Sequence, residues 1–359
     1  MPAIHQLVAG FSKGDAISNE ARVLRAMFRS WGHTSEIFCE TKRILPELRK
    51  DCRELQTAAG TIAPDDVVVL HLSIGSPINE IFPRLPGRKL IVYHNVTPPD
   101  FFRGLSEEIR GLLRRGLEQA RALAGVGEVT VADSKFNATE LEAMGHRNVQ
   151  VMPLMLDRAQ WEGDCDRRVL GQMRDGMKNI LFVGRCAPNK RIEDLIFAFY
   201  FFQKYVTPES RLIHVGSWAG IERYYALLRT KAADLRMENV LFTGSIPPAQ
   251  LRAYFQTADV FLSMSEHEGF CIPLIEAMAH GVPVMAFAAG AVPDTLDGAG
   301  VLFREKKFDA VAEMLGKLCA DSTLRQSVIA AQRARVDRYF AQDIPKRWRD
   351  ALAPLLAGR

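Results

Sequence analysis

Two hydrophobic periods take turns along the chain. Short, nearly continuous apolar runs at 4–11, 35–39, 66–73, 89–95, 128–132 and 149–154 read as buried strands. Between most of them apolar residues return every third or fourth position, the spacing of a helix with one buried face. The segment 19–31 shows this best: Ala21, Leu24, Met27 and Phe28 share a face, and Gly32 stands where a helix would be capped. After position 178 the alternation starts again, with strands expected at 179–183, 211–215, 239–243, 259–264 and 282–287 and helices at 192–205, 221–235, 248–257 and 273–280. Strands that alternate with helices build parallel sheets covered on both faces, so the pattern predicts an α/β chain of doubly wound, Rossmann-like sheets.

The 359 residues exceed what one hydrophobic core serves, and the restart of the pattern supplies a division. The stretch 157–177 is polar, charged and without a clear period; it is expected to link a first domain, 1–156, to a second, 178–335. The last residues, 336–359, are helical and basic in character and are expected to pack back on the first domain. Two such domains are expected to face a cleft, with ligands at the carboxyl edges of the strands. At 48% apolar and 25% charged residues, the composition excludes disordered and fibrous classes. Six scattered cysteines (Cys39, Cys52, Cys165, Cys186, Cys271, Cys319) form neither a CxxC pair nor a Cys/His ligand set. That argues against a disulfide framework or zinc site and for a reducing, cytoplasmic setting. No basic segment followed by an apolar one opens the chain, and the longest apolar stretch, 281–292, is too short to span a bilayer. A net charge of +4 gives no footprint for nucleic acid, though it permits weak attraction to an anionic membrane surface.

The densest chemistry lies at 265–279, Ser-Glu-His-Glu-Gly-Phe-Cys-Ile-Pro-Leu-Ile-Glu-Ala-Met-Ala. A strand ends near Met264, the chain turns through Gly269, and a helix begins at Pro273, which suits a first helical turn because its missing N–H would have no partner there. The N–H groups of Phe270, Cys271 and Ile272 are then expected to point into the cleft, and a helix N-terminus at the carboxyl edge of a parallel sheet favours a phosphate. Two carboxylates bracket the turn. Glu268, on the loop, can accept hydrogen bonds from sugar hydroxyls, and Glu276, within the helix, from a ribose. After the strand 179–183, Gly184-Arg185-Cys186-Ala187-Pro188-Asn189-Lys190-Arg191 sets Arg185 and Lys190 at the same edge. Fixed cations suit a diphosphate, the more so as it departs with growing negative charge. In the first half, His94 closes the run that begins at 89 and is followed by the turn Asn-Val-Thr-Pro, so it stands at a cleft-facing edge.

Glu268-Gly269-Phe270, then Glu276-Ala277-Met278 after seven intervening residues between the glutamates, and Gly281-Val282-Pro283-Val284 downstream make this chain resemble the retaining glycosyltransferases of family 4, the glycosyl transferases group 1. The resemblance implies a GT-B fold, two Rossmann-like domains facing a cleft. It also implies a retaining, metal-independent transfer of a hexose from a nucleoside-diphosphate sugar, with no cofactor. In that family the first glutamate engages the sugar hydroxyls of the donor and the second its ribose, while cations at the places of Arg185 and Lys190 meet the diphosphate. A histidine at the place of His94 lies close to the anomeric carbon, where it contacts the sugar or positions the acceptor. His94 and Glu268 are therefore the expected catalytic residues, and Arg185, Lys190, Gly269, Phe270, Cys271, Ile272 and Glu276 the expected donor contacts. The resemblance adds Gly14, Gly216 and Ile246. Gly14 lies in the turn 10–16, where family members carry adjacent glycines and this chain spaces Gly10 and Gly14 apart; it is a donor contact or a gate to the acceptor. Gly216 and the turn Thr243-Gly244-Ser245-Ile246 match positions lining the nucleotide pocket, with Ile246 meeting the base through its main chain.

The same resemblance suggests GDP-mannose or a UDP-hexose as donor, a glycan or lipid-linked acceptor, and surface-polysaccharide assembly, with the enzyme cytoplasmic or held peripherally at the inner membrane face. Three other readings share the fold: a nucleotide-sugar 2-epimerase, which the paired glutamates do not support; a non-catalytic glycan- or nucleotide-binding subunit, against which His94, Arg185, Lys190 and both glutamates weigh; and a phosphorylase, against which the short chain and the lack of a recognisable lysine for pyridoxal phosphate weigh. Asp164-Cys165-Asp166 spells the DxD by which some transferases hold a divalent ion, but it falls in the expected linker with no strand before it, so no metal is expected. Along 101–122, Arg103, Arg110, Arg114, Arg115 and Arg121 interleave with leucines and Ile109. Such a helix either lies on an anionic bilayer or buries its apolar face in the domain core, and the second reading is favoured.

Overall fold

Strands covered on both faces call for apolar residues at nearly every position, and the central strands of this chain approach that demand, with His5, Gln6 and His71 as exceptions in the first half. A computed structural model describes residues 1–357; Gly358 and Arg359, with which the expected C-terminal segment ends, lie outside the described residues. The first half runs β1 (Ile4–Val8), α1 (Ala16–Ser30), β2 (Ile37–Cys39), β3 (Arg53–Glu54), β4 (Val67–Leu72), α2 (Pro77–Ile81), β5 (Arg88–Tyr93), α3 (Glu107–Ala122), β6 (Val129–Ala132), α4 (Lys135–Ala143) and β7 (Gln150–Val151). The second half runs α5 (Arg167–Met173), β8 (Lys178–Val183), α6 (Ile192–Phe201), β9 (Ser210–Val215), α7 (Glu222–Asp234), β10 (Val240–Gly244), α8 (Pro248–Thr257) and β11 (Val260–Ser263). It continues with α9 (Ile272–Ala279), β12 (Val284–Phe287), α10 (Val292–Leu296), β13 (Val301–Phe303), α11 (Phe308–Ala320), α12 (Ser322–Phe340) and α13 (Ile344–Leu356).

The strands form two all-parallel sheets, ordered β3-β2-β1-β4-β5-β6-β7 and β10-β9-β8-β11-β12-β13. In each sheet the chain winds outward from one strand and then restarts beside it, so the winding direction reverses between β1 and β4 and again between β8 and β11. Loops leaving such a pair diverge and open a crevice at the carboxyl edge. The described residues divide into two compact units, the first made of Met1–Asp100, Glu108–Asp157 and the chain from Asp343 on, the second of Phe101–Glu107 and Arg158–Gln342.

Three stretches depart from the sequence-based expectations. The polar segment 157–177 contains α5, because Asp166 caps it, accepting from Arg168 N (2.9 Å) and Val169 N (3.0 Å), while Val169 and Met173 turn inward one helical turn apart. Asp166 of the DxD string is thus engaged as a helix cap. The expected helix 192–205 splits, as α6 gives way at Phe202–Val206 to a wider π turn. The expected terminal segment divides too: α12 runs to Phe340 in the second unit, and α13 lies in the first. Along α3, Leu113, Gly116, Gln119 and Ala120 are buried, and the exposed face carries Glu107, Glu108 and Glu118 beside Arg114 and Arg121. That mixed-sign surface is the pattern of a helix buried on one side in its own domain. Among the described residues no helix is long and apolar enough to cross a membrane.

The last helix completes the core of the first unit. Ile344, Trp348, Ala351, Leu352 and Leu355 join Ile4, Leu24, Phe28, Val67 and Leu90 in one buried cluster, with the Trp348 and Phe28 rings edge to face at 5.9 Å. Replacing Trp348 by alanine empties a site with no solvent exposure and is expected to cost about 3–5 kcal/mol. The check is the urea midpoint of the unfolding transition of the first unit, and a midpoint equal to that of the wild type would show that α13 is not part of that core.

Candidate functional site

In the second unit the crevice between β8 and β11 is framed by two turns that the chain laces together. After β8 comes a short 3-10 turn, Pro188–Lys190, and then Arg191 with φ 50°, a left-handed backbone that costs a side-chain-bearing residue roughly 1–2 kcal/mol. After β11 comes the loop that holds Glu266, His267 and Glu268. Glu266 N donates to Asn189 O at 2.9 Å and Asn189 Nδ2 to His267 O at 3.0 Å. Arg191 Nε lies 3.1 Å from a Glu266 oxygen, and Lys306 Nζ bridges Asp194 (2.7 Å) and Glu266 (2.8 Å). These ties hold Arg191 in its strained conformation and fix the two loops side by side.

On that frame Lys190 Nζ makes a short ion pair with Glu268 Oε2. Glu268 is 5% exposed, and its other oxygen, Oε1, is buried with no hydrogen-bond partner. Its backbone is held from behind by Ala291 N, which donates to Glu268 O at 2.9 Å. Gly290 makes that approach feasible: a Cβ there would lie 2.7 Å from Glu268 O and 2.8 Å from its N. Burial opposes the charge on Lys190, but the Glu268 carboxylate raises its pKa and keeps it cationic. The chain then enters α9 through Cys271, whose φ of 71° turns the backbone into the helix with no side chain capping it. The N–H groups of Phe270, Cys271 and Ile272 have no acceptor among the described residues, the arrangement that receives an anion at a helix start. Burial also pushes the Cys271 thiol well up, so it is not a thiolate.

Glu276, one turn into α9, is buried, and no protein group hydrogen-bonds its carboxyl among the described residues. Desolvation alone lifts it to about 7. Arg185 is exposed and donates from Nη2 to Ala219 O at 3.0 Å. The turns after β8, β9 and β10 are joined by Cys186 N to Ser217 O (2.9 Å) and Gly216 N to Gly244 O (3.1 Å). At Gly216 a Cβ would stand 1.9 Å from Gly184 O, so only glycine permits this contact. Ile246 lies half-buried beyond Gly244 in the third of these turns. Sequence reasoning did not identify Trp218, which follows Gly216, stacks on Tyr225 at 4.2 Å and lies against the bare side of Gly244. It also missed Asn189, Asp194, Gly290 and Lys306, whose partners are distant in sequence.

In the first unit His94 sits at the end of β5, beside the β1/β4 reversal, and its surroundings are denser than expected. His94 Nδ1 is 2.9 Å from Asp133 Oδ2, and its Nε2 is 2.8 Å from His71 Nδ1. His71 Nε2 lies 3.0 Å from Gln6 Oε1, and Gln6 Nε2 donates to Ala21 O at 2.9 Å. Glu20 Oε2 is 3.7 Å from His94 Nε2, and Glu20 Oε1 accepts from Met155 N at 3.3 Å. Burial opposes a charge on His94, but Asp133 foremost, then Glu20 and Asp15, overcome it and raise the ring to about 9. Burial raises Glu20 to about 7 and Asp133 above its ordinary value, while His71 is held well below its own by burial and by His94. Both ring nitrogens of His94 are therefore bonded within the unit, and its side chain is 3% exposed. Glu20, His71 and His94 offer one atom apiece within 4.8 Å of one another, but the two imidazole nitrogens concerned are already bonded to each other. A cavity lined by Ala9, Gly10, Ser12, Asp15, Arg43 and Ser73, among others, shares Asp15 with the groups that bear on His94. Gly14 lies in the same turn, and a Cβ there would meet nothing within 4 Å.

The unpaired Glu276 has a consequence for stability. Its folded pKa, about 7, stands above the ordinary 4.5, so the native state holds this proton more tightly than the unfolded chain does. The associated stability is present below the unfolded value and is lost as pH rises through the folded one, on the order of 3 kcal/mol in all. Glu276→Gln is expected to match the wild type near the unfolded pKa and to exceed it in stability at mildly alkaline pH by up to about that amount. Urea denaturation of both proteins across that range checks this, and parallel pH curves would refute it.

Residues 171–335 match the family described as Glycosyl transferases group 1. The GDP-mannose-dependent alpha-(1-6)-phosphatidylinositol monomannoside mannosyltransferase of Mycolicibacterium smegmatis is 32% identical over 224 residues, 58% of this chain and 56% of that protein. The chain thus spans about half the length of this curated relative. Among solved structures, sucrose-phosphate synthase from Thermosynechococcus elongatus superposes with a TM-score of 0.77 at 17% identity, covering 99% of both chains. Anabaena HepE in complex with UDP and glucose gives 0.75 at 16% identity, over 99% of this chain and 100% of that one. At such identities the likeness speaks for the fold, which both share with this chain. Residues 171–335 belong to the Glycosyl transferases group 1 family, and the chain that carries them is a GT-B protein of two parallel-sheet units.

Proposed function

We propose that the chain is a retaining glycosyltransferase that needs no metal and moves a hexose from a nucleoside-diphosphate sugar bound at the β8/β11 edge of the second unit. One observation carries the reading: two buried glutamates, Glu268 with an unsatisfied oxygen and Glu276 with no protein partner, bracket a helix start whose N–H groups have no acceptor among the described residues, and Lys190 pairs with the first. Buried acceptors without partners are rare and costly, and a sugar ring and a ribose each bring hydroxyl donors to satisfy them. A diphosphate brings the complementary charge to Lys190, Arg185 and the N–H groups of 270–272.

On this reading the diphosphate draws Lys190 away from Glu268 and frees both carboxylate oxygens for the sugar hydroxyls. Negative charge then builds on the leaving diphosphate, where fixed cations and backbone N–H groups stabilise it without reorganising. The M. smegmatis relative is named for GDP-mannose and the HepE complex holds UDP and glucose, so GDP-mannose and UDP-hexoses are the first donors to try. That relative is also named for a phosphatidylinositol monomannoside, which supports a glycan or lipid-linked acceptor.

The test is release of nucleoside diphosphate from a panel of nucleotide sugars with EDTA present, backed by calorimetric donor binding. Turnover or binding of one donor is expected, with Lys190→Ala slowing release by on the order of a hundredfold and Glu276→Ala weakening binding. Failure to bind any donor, or activity that EDTA abolishes, would overturn the proposal.

A further inference from the structure

The hydrogen bonds around His94 form a one-way chain whose direction can be worked out from its far end. Ala21 O is a carbonyl and can only accept, so Gln6 presents its NH2 to it and its Oε1 to His71. Gln6 Oε1 in turn can only accept, so the hydrogen between them belongs to His71 Nε2. His71 is fully buried and makes no ion pair with a carboxylate; Asp133 and Glu20 lie 2.9 and 3.7 Å from the His94 ring nitrogens, and Glu20 comes only within 4.8 Å of His71. A charge on His71 would stand unpaired beside one on His94, so His71 is neutral and its Nδ1 is bare. Across the 2.8 Å to that bare nitrogen, His94 Nε2 must donate.

The remaining ring nitrogen does not alter this. Between His94 Nδ1 and Asp133 Oδ2, 2.9 Å apart, one proton lies on the nitrogen, giving imidazolium and carboxylate, or on the oxygen, giving a neutral pair. Nε2 keeps its hydrogen in both. The charged and titratable groups that bear on His94 are Asp133 after β6, Glu20 on α1, Asp15 in the β1–α1 turn and His71 on β4. The three acids all favour the protonated ring, and none of them competes for the Nε2 hydrogen at hydrogen-bonding distance.

We infer that, as long as the proton shared with Asp133 is present, His94 carries a hydrogen on Nε2 and commits it to His71, so that the ring has no bare nitrogen with which to act as a base, and that Gln6 and His71 are the positioning residues that fix it so. The inference rests on the proposed transferase reading only in supposing that a substrate comes to His94. It removes His94 from the set of groups that could deprotonate an acceptor hydroxyl.

The test uses the intact protein with 15N-labelled histidine, in spectra that report which ring nitrogens carry hydrogen, between about pH 6 and about pH 8, below the folded value of His94. His71 is expected to be protonated on Nε2 alone and His94 on Nε2 throughout. A His94 with bare Nε2 anywhere in that range overturns the inference. Gln6→Leu removes the acceptor that orients His71 and is expected to let both rings change tautomer. Unchanged spectra in folded Gln6→Leu would show that Gln6 does not set the direction. If a donor is turned over, His94→Gln, which retains an N–H, is expected to keep within about tenfold of the wild-type rate while His94→Ala loses on the order of a hundredfold. Equal losses in the two variants would favour a base. The spectra need no substrate, so the tautomers can be settled even where the transferase reading fails.

Discussion

Lys190 and Glu268 stand 78 positions apart in sequence, and most of the carboxyl edge of the second unit serves to bring them together. The reversal of winding between β8 and β11 supplies the geometry, because the two loops that leave this pair of strands diverge and leave room between them. Asn189, Arg191, Asp194, Glu266 and Lys306 then restrain the loops from the sides, and Gly290 with Ala291 restrains Glu268 from behind. Stability does not explain the pair. Taking a lysine and a glutamate out of water costs several kcal/mol per ion, which their attraction repays only when every remaining lone pair is satisfied. Here Glu268 Oε1 is not satisfied, so the arrangement is one that a ligand with donor groups completes.

The two units handle buried charge in opposite ways. In the first, His94, Asp133, His71 and Gln6 satisfy one another along a continuous chain that ends on a backbone carbonyl, and only Glu20 Oε2 and Asp133 Oδ1 are left over. A closed chain of this kind is rigid and has its proton positions set in advance. In the second, among the described residues, Glu276 has no partner, the N–H groups of 270–272 have none, and Glu268 has half of what it could use. An open set is costly in the empty protein and can return that energy on binding. The expectation that His94 faces a sugar was drawn from its place at the end of a strand together with the family resemblance; the structure gives it four titratable neighbours that leave it little freedom.

Much of this was legible from local pattern, and what was not has identifiable physical causes. The periods of α1 and of β8 to β12 show in the sequence because both sheet faces are covered and the apolar demand is strict. The edge strands β3 and β13 are only two and three residues long, and they pair with a single neighbour, so neither leaves a run to read. Helix α5 hid in a charged segment because only Val169 and Met173 turn inward. Glu268 and Glu276 stood out because local spacing marks them. Glu20 and His71 left signals of their own: Glu20 stands four and eight positions before Leu24 and Phe28, on the buried face of α1, and His71 interrupts a run that is otherwise aliphatic. A titratable residue at a position reserved for the core is the trace that such a cluster leaves. Lys306 and Asn189 left none, since their partners come from other loops.

Charge balance at the donor edge argues for a definite order of events on the proposed reading. Lys190 and Arg185 bring two positive charges and Glu268 one negative, while Glu276, lifted to about 7 by burial, is divided between its acid and ionised forms near neutrality. An arriving diphosphate adds negative charge close to Glu276 and by itself would raise that carboxyl further. Ribose hydroxyls act the other way, because they donate to the ionised form and favour it. The two halves of one nucleotide thus pull Glu276 in opposite directions, and only a ligand that carries both holds the carboxylate ionised beside a phosphate. Free diphosphate lacks the hydroxyls and a free nucleoside lacks the charge that separates Lys190 from Glu268, so the site discriminates for the joined molecule through electrostatics as well as shape.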